Sequence, residues 1–260
     1  MRRSVLLPGL LSLFWAPALL AAPVAQPVEW KIGGDAFSGV LVYDDSVAHP
    51  RPGLVMVPNW KGVNASAIDK ARLVAGADYV VLVADVYGKG IRPQTDAEAG
   101  PVASALRDDR PTLRARVREA VEVLKRQPAT LVDAARIGAF GYCFGGSAVL
   151  ELVRAGDALA GVASLHGGLA TGLPAAGPVQ TPVLILNGGD DSYVSAAEIT
   201  AFQDEMRKAG ADWQFVSFGG AVHCFAEADA QDPPGCVYHE PSAKRAYRML
   251  ADFFRERFGP

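Results

Sequence analysis

The sequence predicts one α/β domain, a mostly parallel sheet with helices on both faces. Three observations predict it. Short β-like runs alternate with amphipathic, helix-length stretches along almost the whole chain, as in strands joined by crossover helices. Residues 79–83 are apolar throughout and Val-rich, which suits a strand covered on both faces. The chain has 260 residues, half hydrophobic and a fifth charged, with no repeat, linker or low-complexity block, so one domain is the economical reading. That composition excludes disordered, collagenous and coiled-coil chains. A formal net charge of −3 without a basic stripe argues against nucleic acid as a partner.

Residues 1–22 are set apart from that domain. Met1-Arg2-Arg3 opens an otherwise uncharged stretch, 4–26, rich in Leu and Ala, with small residues at Ala21, Ala22 and Ala25. A basic start, a short apolar core and a small-residue zone read as a signal peptide. Cleavage after Ala21, Ala22 or Ala25 stays open. The apolar core, 5–20, is short of the roughly 20 residues of a spanning helix, and Pro8, Gly9 and Pro17 interrupt it. The expectation is an exported protein, periplasmic or secreted, with 23–260 as the mature domain and no stable membrane insertion after cleavage. Loss of Arg2 and Arg3 takes the net charge from −3 to −5.

Along the domain, 28–32 and 37–43 flank Gly33-Gly34-Asp35 and predict an opening hairpin. Residues 53–57 predict a buried strand ended by Pro58. The stretch 64–77 has helical periodicity, with Ile68, Leu73 and Val74 as its main apolar positions. Strand 79–83 follows. The polar segment 88–111 reads as an excursion with one short helix. Residues 113–125 are a clear amphipathic helix, with Leu113, Val117, Ala120, Val121 and Leu124 on one face. The second half repeats the alternation: strands at 136–140, 161–165, 182–186 and 213–218, and helices at 145–154, 196–209 and 242–258.

The most informative segment is Gly141-Tyr142-Cys143-Phe144-Gly145-Gly146, a strand, a sharp turn and a helix. Gly-x-Cys-x-Gly has the spacing of a nucleophile elbow with Cys where Ser usually stands. Such a turn leaves little room for side chains two residues either side of the nucleophile. It places the sulfur at a helix N-terminus, where the macrodipole favours thiolate, and turns the Phe144 N–H toward a developing oxyanion. A buried structural Cys is the competing reading. An elbow enzyme needs an acid and then a histidine downstream. Asp190-Asp191 follows strand 182–186, and His223 follows strand 213–218, both at the sheet edge where open α/β sheets bind ligands. Of the other histidines, His49 and His239 lie in loops, and His166, ending a strand, reads as a satisfied structural histidine.

With these residues in place, the sequence resembles the dienelactone hydrolase family, a branch of the α/β-hydrolase fold with a Cys-His-Asp triad. The likeness rests on Gly141 to Gly146, Gly188-x-x-Asp191-x-x-Val194, His223-Cys224-Phe225, Asn59-Trp60-Lys61-Gly62-Val63-Asn64 and Asp85-Val86-Tyr87. It implies Cys143, His223 and Asp191, rather than Asp190, as the triad, and the Trp60 N–H as second oxyanion donor beside Phe144. Founding members carry a Glu at the position of Asn59, next to the resting thiol, and two arginines that hold a substrate carboxylate. The matching positions here are Lys89 and Glu227, one charge kept and one reversed. A carboxylate clamp, and dienelactone itself, are therefore not expected.

Asn59, Tyr87, Lys89, Phe225 and Glu227 are the candidate substrate contacts. No metal or organic cofactor is implied. In an oxidising compartment a Cys224–Cys236 disulfide would close a short loop, fix the segment carrying His223 and leave Cys143 as the one free thiol; two reduced cysteines are the alternative. The expected activity is hydrolysis of a small-molecule ester or lactone. The rivals are a ligand-binding module without catalysis on the same fold, and a redox protein working through Cys143.

Overall fold

A computed structural model describes residues 23–259. The expected signal peptide, 1–22, lies outside the described residues. The elements run β1 (Val24–Ile32), β2 (Asp35–Tyr43), β3 (Arg51–Val57), α1 (Ala65–Ala75), β4 (Val80–Val83), α2 (Asp96–Asp108), α3 (Arg110–Lys125), β5 (Val132–Tyr142), α4 (Phe144–Arg154), β6 (Val162–Leu165), β7 (Val183–Gly188), α5 (Ala196–Lys208), β8 (Trp213–Phe218), β9 (Gln231–Asp232), β10 (Cys236–Val237) and α6 (Glu240–Phe258).

Eight strands form one sheet in the order β1-β2-β4-β3-β5-β6-β7-β8. The β1–β2 hairpin and the β2–β4 pair are antiparallel, and every pair from β4 to β8 is parallel. Two cores cover the faces. One gathers α2 to α5 through residues such as Leu106, Leu113, Val117, Val149 and Phe202. The other packs α1 and α6 through Ala67, Ala71, Ala75, Leu250 and Phe254. β3 and β4 are buried at every position, which is why 53–57 and 80–83 read as unbroken apolar runs. The predicted α/β class stands.

Two local expectations need correction. The 88–111 segment is no loop with a short helix. It holds the thirteen-residue α2 and the start of α3. Thr95 caps α2 by accepting from Glu98 N–H, and the Glu98 carboxylate accepts back from Gln94 N–H. That is a capping-box spacing, masked in the sequence by Gly100 and Pro101. Pro111 likewise sits in the first turn of α3, where its missing N–H costs nothing. In α1 the buried face is Ala67, Lys70, Ala71 and Ala75, while Leu73 is 64% exposed. Small alanines let this helix lie close on the sheet, a contact that apolar periodicity alone assigns to the larger side chains.

Candidate active site

The site forms at the carboxyl ends of the parallel strands. β5 ends at Tyr142, and Cys143 turns the chain with φ +52° into α4. The flanking glycines are steric requirements. A Cβ on Gly141 would strike the Gly145 backbone, and one on Gly145 would strike the carbonyls of Val57 and Pro58. Cys143 is half-buried and is the one free cysteine among the described residues.

Each expected partner arrives on its own loop. His223 Nε2 is 3.1 Å from Cys143 Sγ, and His223 Nδ1 is 2.8 Å from Asp191 Oδ2. The second Asp191 oxygen accepts from Tyr193 N–H at 2.9 Å, which fixes the carboxylate plane. Asp191, not Asp190, is the partner. Burial works against a charge on His223, but its hydrogen bonds to Asp191 and Cys143, and their charges, outweigh it and raise His223 to about 10.

The Trp60 turn follows β3. Gly62 N–H donates to the Asn59 carbonyl at 2.9 Å, and Tyr87 Oη donates to the Trp60 carbonyl at 2.9 Å. The Tyr87 ring lies 5.6 Å from that of Phe144. Tyr87 is therefore a buried wall under the turn. α2 lies beside Trp60, with Gly100 facing its ring and Asp96 paired to Lys61 at 2.8 Å.

Other expected contacts fall elsewhere. Lys89 turns to Glu29 on β1, 2.7 Å away, so its charge is already paired. Phe225 is fully buried in the α6-side core, against His166 and Phe218. Glu227 is 3% exposed and meets Asn59 Nδ2 at 2.6 Å and Lys70 Nζ at 3.1 Å. Two of the departures from the family pattern, Asn59 and Glu227, are thus direct partners.

Cys224 and Cys236 form a disulfide, and Val237 N–H donates to the His223 carbonyl at 3.1 Å, so the bridge braces the histidine loop.

Sequence reasoning missed three features. His166 is fully buried, but neither ring nitrogen has a hydrogen-bond partner among the described residues, so it is not the satisfied histidine expected. Its ring meets His223 edge-on at 5.0 Å, and burial, then the neighbouring His223 and Lys70, holds it neutral. Tyr193, 65% exposed, also sets its ring 5.0 Å from His223. Lys70 is nine-tenths buried inside α1. Positive φ at His166 and Cys224, both non-glycine, was the backbone signature of this cluster, and only the fold reveals it.

The family model for the dienelactone hydrolase family matches residues 37–258. The chain belongs to that family. This dienelactone hydrolase family member superposes on the solved structure m3DLH with a TM-score of 0.86 at 33% identity, covering 92% of this chain and 100% of that one. A dienelactone hydrolase-like promiscuous phosphotriesterase from metagenomic libraries gives 0.86 at 32% identity, with coverage of 92% and 100%. A Bradyrhizobium sp. protein, named a probable 2-oxo-3-(5-oxofuran-2-ylidene)propanoate lactonase, is 26% identical over 68% of this chain and 74% of its own. Membership places the chain among hydrolases of ester and lactone bonds.

Proposed function

We propose that this hydrolase cleaves uncharged carboxylic esters or lactones with Cys143 as nucleophile, His223 as acid and base, and Asp191 as its orienting carboxylate. The observation that carries the reading is the continuous chain Asp191–His223–Cys143, at 2.8 and 3.1 Å. The thiolate attacks the carbonyl carbon and an S–C bond forms. The Phe144 and Trp60 N–H groups hold the oxyanion. As the C–O bond to the leaving group breaks, the His223 proton passes to the leaving oxygen. Water then gives a proton to His223, attacks the thioester, and releases the acid and the thiolate. The pairing of Lys89 with Glu29, and of Glu227 with Lys70, supports a substrate without a carboxylate to clamp.

The test is turnover of a panel of p-nitrophenyl esters and simple lactones, run beside alkylation of Cys143 across pH. A phosphotriester joins the panel because of the neighbour named a phosphotriesterase. Alkylation of Cys143, or Cys143→Ala, is expected to abolish turnover, and His223→Ala to slow alkylation at neutral pH. Turnover unchanged in Cys143→Ala would falsify the reading. We infer as well that the protein is exported with residues 1–22 removed; the basic and apolar leader and the Cys224–Cys236 disulfide support this.

A further inference from the structure

Two loops meet at the carboxyl-end edge of the sheet, one after β3 and one after β8. Residues 59–62 present the Trp60 N–H, and residues 223–230 carry His223. One side chain from each loop meets the other, Asn59 Nδ2 donating to Glu227 Oε2 at 2.6 Å across 168 residues of sequence. The other end of the same amide, Oδ1, accepts from Lys61 N–H at 3.1 Å. The N–H groups of Lys61 and Gly62 are therefore both engaged by Asn59, through its side chain and its carbonyl. The Trp60 N–H donates to nothing among the described residues.

Glu227 Oε2 accepts from the Asn59 amide and Lys61 N–H donates to it, so a flipped amide would face oxygen to oxygen and nitrogen to N–H. Its orientation is set at both ends. Glu227 is in turn anchored beside the base, its N–H donating to the Cys224 carbonyl at 2.9 Å. A buried carboxylate is expensive unless paired. Here Lys70 pairs it, and Lys70 is itself held by Asp229 at 2.8 Å and by Ser66.

We propose that Asn59 and Glu227, with Lys70 as counter-charge, are positioning residues that tie the oxyanion-donor turn to the histidine loop and aim the Trp60 N–H at the space above Cys143. The tether rests on the thiol mechanism above. It assigns Glu227 no contact with substrate. A buried ion pair is weak evidence of stability; this one holds a single amide whose neighbour is the oxyanion donor.

The test uses the full chain, p-nitrophenyl acetate, and iodoacetamide alkylation of Cys143 as a second readout. Alkylation forms no oxyanion, so it reads only the sulfur and His223, whereas ester turnover also reads the donor. Losing an oxyanion donor lowers kcat by about 10² to 10³, and a misplaced donor lowers it less. Asn59→Ala and Glu227→Ala are therefore expected to lower kcat about ten- to a hundredfold, with KM nearly unchanged and alkylation at the wild-type rate. Glu227→Gln, whose amide oxygen still accepts from Asn59, restores most of kcat.

Unchanged kcat in Asn59→Ala overturns the tether. So does alkylation that falls in step with turnover, a loss carried by KM, or Glu227→Gln as impaired as Glu227→Ala. If Glu227→Ala does not fold, Asn59→Ala, at a half-buried turn position, decides alone. Turnover that survives Cys143→Ala removes the thiol mechanism and the tether together. Turnover lost in Cys143→Ala but untouched in Asn59→Ala removes the tether only.

Discussion

His223 carries the charge on which the site turns, and its environment makes a testable link between pH and stability. The folded state holds its proton up to about 10, through Asp191 and Cys143 and against its own burial. The unfolded value is about 6.5. A raised histidine stabilises fully below the unfolded value and loses that contribution as pH climbs through the folded one. The Tm advantage of wild type over His223→Asn should therefore be largest near pH 6 and shrink between about pH 6.5 and 10. Melting curves at fixed ionic strength measure it, and an advantage that grows with pH would contradict the assignment. That Cys143, Asp191 and His223 come together was legible in the sequence, because an elbow glycine pattern and loops at strand ends leave few candidates. The fates of Lys89 and Phe225 were not. Whether a side chain turns into a pocket or away to Glu29 or the core depends on neighbours far off in sequence.

At the scale of elements, the histidine loop is held mainly from outside regular structure. Between β8 and α6 the chain has only two-residue strands, β9 and β10. The Cys224–Cys236 bridge, closing a separation of 12, substitutes for secondary structure there. In the chain-entropy account a loop of this size is worth about 3 kcal/mol. Cys224→Ser with Cys236→Ser should lower stability by about that amount in urea melts. It should also lower ester turnover, because Val237 holds the His223 carbonyl. Full turnover in the double variant would show that the loop needs no brace. The elements on either side were readable, since their periodicity is local. α2 was missed because Gly100 and Pro101 argue against a helix locally, whereas the Thr95 cap and burial of Ala99, Ala103 and Leu106 argue for one in the fold.

At the scale of the molecule, the sheet edge gathers the site, and a buried charge network links the helices of one layer. Glu151 of α4 is fully buried and receives Arg110 and Arg114 of α3 and Arg154 of its own helix, while Arg154 also reaches Glu205 of α5. The disulfide bears on where the whole protein resides, since such bonds persist outside the reducing cytosol. Export predicts that protein recovered from the periplasm or medium starts between residues 22 and 26, as N-terminal sequencing would read. Material from the cytosol that keeps Met1 and three free thiols would contradict it.

The sequence alone determined the α/β class, most strands and helices, the elbow at Cys143, and the placement of Asp191 and His223 on loops at strand ends. These follow from patterns within a few residues: alternation, helical spacing, and glycines where a turn admits no Cβ. Tertiary structure alone decided that Glu227 bonds Asn59 and Lys70, that Lys70 is buried in α1, and that His166 lies against His223 without a hydrogen-bond partner among the described residues. Each is a contact between residues distant in sequence. What sets it is the energy of burying charge, which exists only after the chain has closed around it.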